Sequence, residues 1–149
     1  MIKVDFEKCT ACGACVQTCP RKCISWQEGE FGFKYPYVDQ SKCINCHQCE
    51  KVCPLGKELV IPGKQHYFAA VHRNRDILSK STSGGVFTAL ADYVLERNGI
   101  VYGCTMDDAF QVKHVRISSI EELAQLRSSK YVQSNTMNTF RQALIDLRK

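Results

Sequence analysis

The sequence predicts an α+β protein of two small modules in series, the first rich in cysteine and the second mixed α/β. Three observations carry that expectation. Eight of the ten cysteines fall in two copies of one spacing, and all but one of the ten precede residue 60. From Tyr67 onward the apolar residues recur instead at helix and strand intervals. The 149 residues are 44% apolar and 23% charged, a globular composition. Lys and Arg number 20 against 15 Asp and Glu, a net +5 with no long basic block, so nucleic acid is not an expected partner.

Two further exclusions set the redox setting. The longest apolar runs, such as Tyr67–Val71, fall far short of the ~18 residues a bilayer requires, so no membrane span is expected. The start, Met1 to Glu7, has no apolar h-region and no small-residue cleavage site, which points to a cytoplasmic protein. In a reducing compartment ten cysteines serve as metal ligands rather than as disulfide staples.

The first copy of the pattern is Cys9-x-x-Cys12-x-x-Cys15-x-x-x-Cys19-Pro20, and the second is Cys43-x-x-Cys46-x-x-Cys49-x-x-x-Cys53-Pro54. Three cysteines at steps of three, separated in the first run by small or turn-tolerant residues (Thr10, Ala11, Gly13, Ala14), let a short loop wrap one metal cluster. A four-iron, four-sulfur cubane needs a fourth thiolate. Zinc is the alternative, but a zinc ribbon uses two C-x-x-C pairs and would leave ligands unused here.

Nearly all of residues 1–60 resembles the bacterial-type two-4Fe–4S ferredoxin family. The resemblance implies that the Cys followed by Pro in each run ligates the other cluster. One cluster would then take Cys9, Cys12, Cys15 and Cys53, and the other Cys43, Cys46, Cys49 and Cys19. Such crossing fastens together two halves that have little apolar core. Pro20 and Pro54 end the helical turns that deliver Cys19 and Cys53.

Cys23–Trp26 and Phe33–Val38, on either side of Glu28-Gly29-Glu30, read as a β-hairpin. Alternation of Ile2, Val4 and Phe6 suggests a further strand. Cys23 reads as a small buried hydrophobe in preference to a redox or ligand role, and His47 as a solvent-facing residue in preference to a hydrogen-bond partner of a cluster sulfur or neighbouring backbone. Val60 to His66 carries a Pro-Gly turn signal. The domains are thus read as 1–60, a linker at 61–66, and 67–149. The first 60 residues hold 8 Lys and Arg against 7 Asp and Glu, so most of the positive surplus falls on the second module.

In the second module Tyr67–Val71 reads as a buried strand. Ser81-Thr82-Ser83-Gly84-Gly85 then precedes a helix with Val86, Phe87, Leu90, Ala91, Val94 and Leu95 on one face, which Gly99 ends in the left-handed conformation. Ile100–Tyr102 is a strand. Phe110, Val112, Val115 and Ile117 form another, with a bulge at Lys113-His114. Ser119–Glu122 is a capping box before a helix whose Ile120, Leu123 and Leu126 point inward. A loop from Leu126 to Ser134 runs into a short strand, and a last helix carries Met137, Phe140, Leu144 and Leu147. Cys104 reads as a core residue.

Two stretches there suit a ligand. Ser83, Gly84 and Gly85 lie at a helix N-terminus that favours an anion, unless Ser83 merely caps the helix. Arg127 and Lys130 lie among Ser128, Ser129 and Tyr131, unless they form an ordinary solvated loop.

Residues 67–135 resemble the N-terminal region of the coenzyme F420 hydrogenase/dehydrogenase beta-subunit family. The likeness rests on Ser83-Gly84-Gly85-Val86-Phe87-Thr88-Ala89-Leu90, Gly99-Ile100-Val101-Tyr102-Gly103-Cys104 and Ser129-Lys130-Tyr131-Val132-Gln133-Ser134. It implies an iron–sulfur flavoprotein that uses FAD to pass electrons between clusters and a substrate such as the deazaflavin F420. Ser83, Gly84, Gly85 and Lys130 would then lie near flavin or substrate. Family members continue through a further C-terminal domain, so the fold expected is a ferredoxin-like two-cluster iron–sulfur module followed by a small, incomplete α/β domain. On that reading the chain is a fragment or a naturally shortened protein.

The function expected is electron transfer, as a subunit or fragment of a flavin-linked oxidoreductase with other subunits or a redox protein as partners. No residue is nominated as a general acid or base. The alternative is a non-enzymatic ferredoxin-type carrier whose second module only docks a partner.

Overall fold

The computed structural model of the chain describes residues 2–55, 57 and 62–148. Helices α1 (Ala14–Thr18), α2 (Gln48–Val52), α3 (Arg75–Ser79), α4 (Val86–Leu95) and α5 (Thr139–Asp146) and strands β1 (Ile24–Glu28), β2 (Lys34–Val38), β3 (Val101–Met106) and β4 (Val112–Ile117) follow in the order α1-β1-β2-α2-α3-α4-β3-β4-α5. The strands form two antiparallel pairs, β1 with β2 and β3 with β4. The chain divides into two compact units, one of Met1–Val60 with Thr136–Lys149 and one of Ile61–Asn135. The first residue of the expected linker, Ile61, lies outside the described residues.

In the first unit each cysteine run closes on a single helical turn. Residues that precede proline are pushed to extended backbone, and Cys19 (ψ 113) and Cys53 (ψ 128) follow that rule as the C-caps of α1 and α2. The hairpin pairs Ile24 with Val38 through to Glu28 with Lys34. Pro36 is tolerated opposite Trp26 because both strands of a two-stranded sheet are edges. The buried core is Cys15, Cys19, Cys23 and Ile24, with Ile2, Val16, Val38, Cys43 and Cys49 packed around it. Three of these four buried residues are cysteines, so thiols make up most of the middle of this unit.

The last helix belongs to the same unit. Gln17 on α1 caps its start, accepting from the Phe140 N–H (3.0 Å) and donating to Thr136 Oγ1 (3.1 Å). Thr136 Oγ1 in turn donates to the Cys12 carbonyl at 3.0 Å. Gly13 makes this approach possible, since a Cβ there would stand 2.7 Å from Thr136 Oγ1 and 3.0 Å from the Trp26 ring. Phe140 and Leu144 stay exposed.

The second unit has a conventional core of Ala91, Leu95, Ile117, Leu123 and Leu126, lined by Val101 and Val115. Leu126 sits on Gly103 of β3, where a Cβ would meet its Cδ1 at 2.8 Å. Asn74 caps α3 by accepting from the N–H groups of Asp76 (2.8 Å) and Ile77 (3.4 Å).

Several expectations are corrected. Ile2, Val4 and Phe6 form no strand; the segment is irregular, and Phe6 instead meets the Tyr35 ring edge-on at 5.0 Å. Tyr67–Val71 is not a buried strand either. It has no strand partner among the described residues, and Tyr67 and Phe68 are 86% and 89% exposed. In α4 the inward residues are Thr88, Ala91 and Leu95, whereas Val86, Phe87 and Leu90 face outward. Asn98, with φ 57, takes the left-handed position instead of Gly99. Gly99 is small because the Val94 carbonyl would meet a Cβ at 2.7 Å.

No bulge interrupts β4, which pairs without a break from Val101–Ile117 to Met106–Val112. The phase slip in its apolar pattern arises because Val112 and Ile117 are buried on opposite faces. Glu121–Leu126 is a 3-10 helix with Leu123 and Leu126 buried but Ile120 exposed. In place of the short strand after Ser134 there is one bridge, between Asn135 and Lys113. Cys104 is only partly buried and contacts Ser134 Oγ at 3.4 Å, the same oxygen that His114 Nδ1 meets at 2.8 Å.

Candidate metal centre and ligand cavity

The cysteines gather around two cavities of the first unit. One, of about 230 Å³, is lined by Cys9, Cys12, Cys15 and Cys53 together with Ile2, Val4 and Pro36. The other, of about 20 Å³, is lined by Cys43, Cys46, Cys49 and Cys19, and also by Cys23. Each therefore takes three cysteines from one run and the Cys-Pro cysteine of the other. Each one-turn helix holds the third cysteine of its run in its first turn and the fourth at its C-cap, and the two line different cavities. All ten cysteines are unbridged. Among the described residues no three His, Cys, Asp or Glu groups converge tightly enough to hold a single metal ion; the thiols surround spaces.

The backbone of the two loops repeats. Ala11 (φ 51) and Gly13 (φ 78) in the first correspond to Asn45 (φ 52) and His47 (φ 58) in the second. Left-handed positions at the same two steps curl each loop so that its cysteines face one side. His47 fits at the position of Gly13 because its ring is exposed, with Nδ1 2.7 Å from Glu50 Oε2.

Local electrostatics differ from thiol to thiol. Burial, reinforced by Cys12 and Cys9 nearby, pushes the Cys15 thiol up to about 11. Burial and the neighbouring Cys19 push Cys23 up to about 11 as well. For Cys19 burial acts in the same direction. It is outweighed by hydrogen bonds from the Cys23 backbone and thiol and from the Arg21 and Lys22 backbone, which hold Cys19 below its ordinary value. A metal-ligating cysteine has to lose its proton, and of the buried Cys15, Cys19 and Cys23 it is Cys19 that is held toward that state.

The second unit holds an open cavity of about 690 Å³ lined by Phe68–Ala70, Ser81–Thr88 and Arg127–Ser129. The size lies within the range of small-molecule sites. Gly85, at φ 73, is the N-cap of α4 and offers no side-chain cap, so Ser83 does not cap the helix. The first N–H groups of α4 are left for another acceptor. Gly84 is needed because a Cβ would run into the Ala70 carbonyl oxygen; its own carbonyl accepts from the His72 N–H at 2.7 Å.

The structure thus brings Ser83, Gly84 and Gly85 together on one cavity wall. Lys130 is not among the lining residues; it folds back to donate to the carbonyls of Arg127 (2.6 Å) and Gln125 (3.4 Å). Arg127 takes the place at the cavity, 3.4 Å from Thr88 Oγ1. Composition alone did not separate the two cations. Cys23 was also missed as a lining residue; the turn closed by the Lys22 N–H on the Cys19 carbonyl brings it back beside Cys19.

Two sets of four thiols, each gathered around one cavity, are the donor set of an iron–sulfur protein. Residues 8–57 match the 4Fe-4S dicluster domain. Residues 67–141, half of the chain, match the N-terminal region of the coenzyme F420 hydrogenase/dehydrogenase beta subunit, and the chain belongs to that family. It is similar to the coenzyme F420-dependent sulfite reductase of Methanocaldococcus jannaschii, with 27% identity over 145 residues, 94% of this chain and 22% of that protein. The chain thus spans about a fifth of the length of that relative. Among the described residues no helix is long and apolar enough to cross a membrane.

Proposed function

We propose that the chain is the electron-relaying part of a cytoplasmic, flavin-linked oxidoreductase, carrying two 4Fe–4S clusters and seating a flavin or deazaflavin on its second unit. The observation that carries this reading is the exchange of the Cys-Pro cysteines. Cys9, Cys12, Cys15 and Cys53 would hold one cluster, and Cys43, Cys46, Cys49 and Cys19 the other. The clusters supply one-electron steps, which a flavin can couple in pairs to a two-electron substrate. The first cavity has room for a cluster. The second is narrow, but its outer wall is the exposed loop Ile44–Gln48, so widening it displaces solvent-facing backbone and not core.

This chain's residues would bind and shield. Backbone N–H groups and Pro20 enclose the Cys19 sulfur, and Ile2, Val4 and Pro36 exclude water from the first site. In the second unit the open N–H groups of α4, the Ser83 hydroxyl and Arg127 suit the phosphates of a dinucleotide. Phe68, Val86 and Phe87 suit an aromatic ring system. Lys130 would act by holding the loop that presents Arg127.

Anaerobic reconstitution of the full chain, with iron, zinc and flavin quantified, tests the proposal. About eight iron per chain is expected, with FAD or F420 binding that weakens in Arg127→Ala. Stoichiometric zinc in place of iron overturns the cluster assignment. Full iron without flavin or F420 binding removes the flavin-linked part and leaves an electron carrier.

A further inference from the structure

The two cysteine sites share a backbone plan but differ in one sulfur. Four residues after Cys19 comes Cys23; four residues after Cys53 comes Lys57. Cys23 Sγ stands 3.4 Å from Cys19 Sγ. Both residues are buried, at 5% and 8% exposure. Cys23 is held from both sides: its carbonyl accepts from the Asp39 N–H at 2.8 Å, and the next residue, Ile24, pairs with Val38. These bonds fix the backbone that places its thiol beside Cys19. It also lines the cavity of Cys43, Cys46 and Cys49.

We propose that Cys23 is a positioning residue of the second cluster, donating a hydrogen bond from its thiol to the Cys19 sulfur and thereby raising that cluster's reduction potential. The inference rests on the crossed ligand assignment proposed above. The direction of the bond follows from valence. A cluster-bound cysteine sulfur carries no proton and can only accept, whereas an unligated thiol carries one to donate. A hydrogen bond to a ligating sulfur draws electron density from it and favours the reduced cluster, whose ligands are more electron-rich. No atom or electron is exchanged in the contact; the proton stays on Cys23. At the equivalent position of the first site the Lys57 ammonium donates to the Lys51 carbonyl, so among the described residues no such side-chain donor reaches Cys53, and that site serves as an internal control.

The test uses the full chain with Cys23→Ala and Cys23→Ser, reconstituted anaerobically. Iron is quantified, and the two midpoint potentials are followed by EPR. The second cluster is identified as the signal that disappears in Cys19→Ser. In Cys23→Ala the iron content should hold while the midpoint of that signal alone moves to a more negative value. Cys23→Ser, whose hydroxyl also donates, should recover most of the shift. An unmoved midpoint in Cys23→Ala overturns the inference. So does loss of about half the iron from both variants, because Cys23 would then be a ligand and not a neighbour. If Cys19→Ser instead destroys the cluster of Cys9, Cys12 and Cys15, the underlying assignment fails, a result distinct from either.

Discussion

The two cysteine sites are near copies in sequence and in backbone, yet one encloses about 230 Å³ and the other about 20 Å³. The duplication extends beyond the cysteines. Asp5 and Lys8 precede Cys9 just as Asp39 and Lys42 precede Cys43, and each pair forms a salt bridge, at 3.3 and 2.9 Å. What differs is the packing outside the loops. The first loop lies against Trp26 and Thr136, which demand glycine at position 13, while the second is exposed on its outer side and fills its own cavity with Cys23. Repetition of a ligand motif therefore fixes loop shape, while the neighbours decide how much room each loop encloses.

Breaking the exchange of cysteines should have the largest effect. Cys53→Ser is expected to cost about half the iron, and the EPR signal lost should be the one that persists in Cys19→Ser. Loss of the same signal from both variants would contradict the crossed arrangement.

Gly13→Ala probes the asymmetry of packing. The new Cβ meets Thr136 Oγ1 and Trp26 at a left-handed backbone position, and a cost of about 1–3 kcal/mol in holo-protein stability is expected. His47→Gly, at the matching position, should leave thermal unfolding nearly unchanged. Thr136→Val sharpens the same contrast with a smaller effect. Loss of its bonds to Cys12 and Gln17 should cost about 1–2 kcal/mol, with the second cluster's EPR signal undisturbed.

The smallest effect concerns acid. The Ser41 hydroxyl, then Lys42, hold the Asp39 carboxyl down at about 2, from 3.8. A depressed carboxylate stabilises the fold above its ordinary range and ceases to do so as pH falls from 3.8 toward 2. Urea unfolding of the apo-protein across that interval should show a shallower acid loss for Asp39→Asn than for wild type, and Ser41→Ala should lie between them.

What was legible in the sequence was local. A proline stops a turn, a Gly-containing break makes a hairpin, and cysteines at steps of three face one way; all of these survive in the structure. Errors arose where burial depends on distant chain. Tyr67–Val71 is apolar enough for a strand, but a strand needs a partner that no local pattern specifies. The outward turn of Val86, Phe87 and Leu90 was hidden because α4 carries apolar residues on both faces, and Thr88 faces inward where its hydroxyl meets Arg127. Likewise the last helix shows its apolar spacing, yet nothing in that spacing says that Gln17 will cap it.

That cap has a consequence for chain entropy. The first unit is discontinuous in sequence, with Ile61–Asn135 inserted as a loop between its two parts. Closing so long a loop costs conformational freedom that grows only slowly with length. Insertions or deletions within the loop should therefore be tolerated far better than any change at the points of closure. Those points are the hydrogen bonds of Thr136 to the Cys12 carbonyl and of Thr136 and Phe140 to Gln17 on α1, so the segment that would wrap the first cluster also acts as the clasp of the loop. A cut after residue 60 leaves that clasp without its second half.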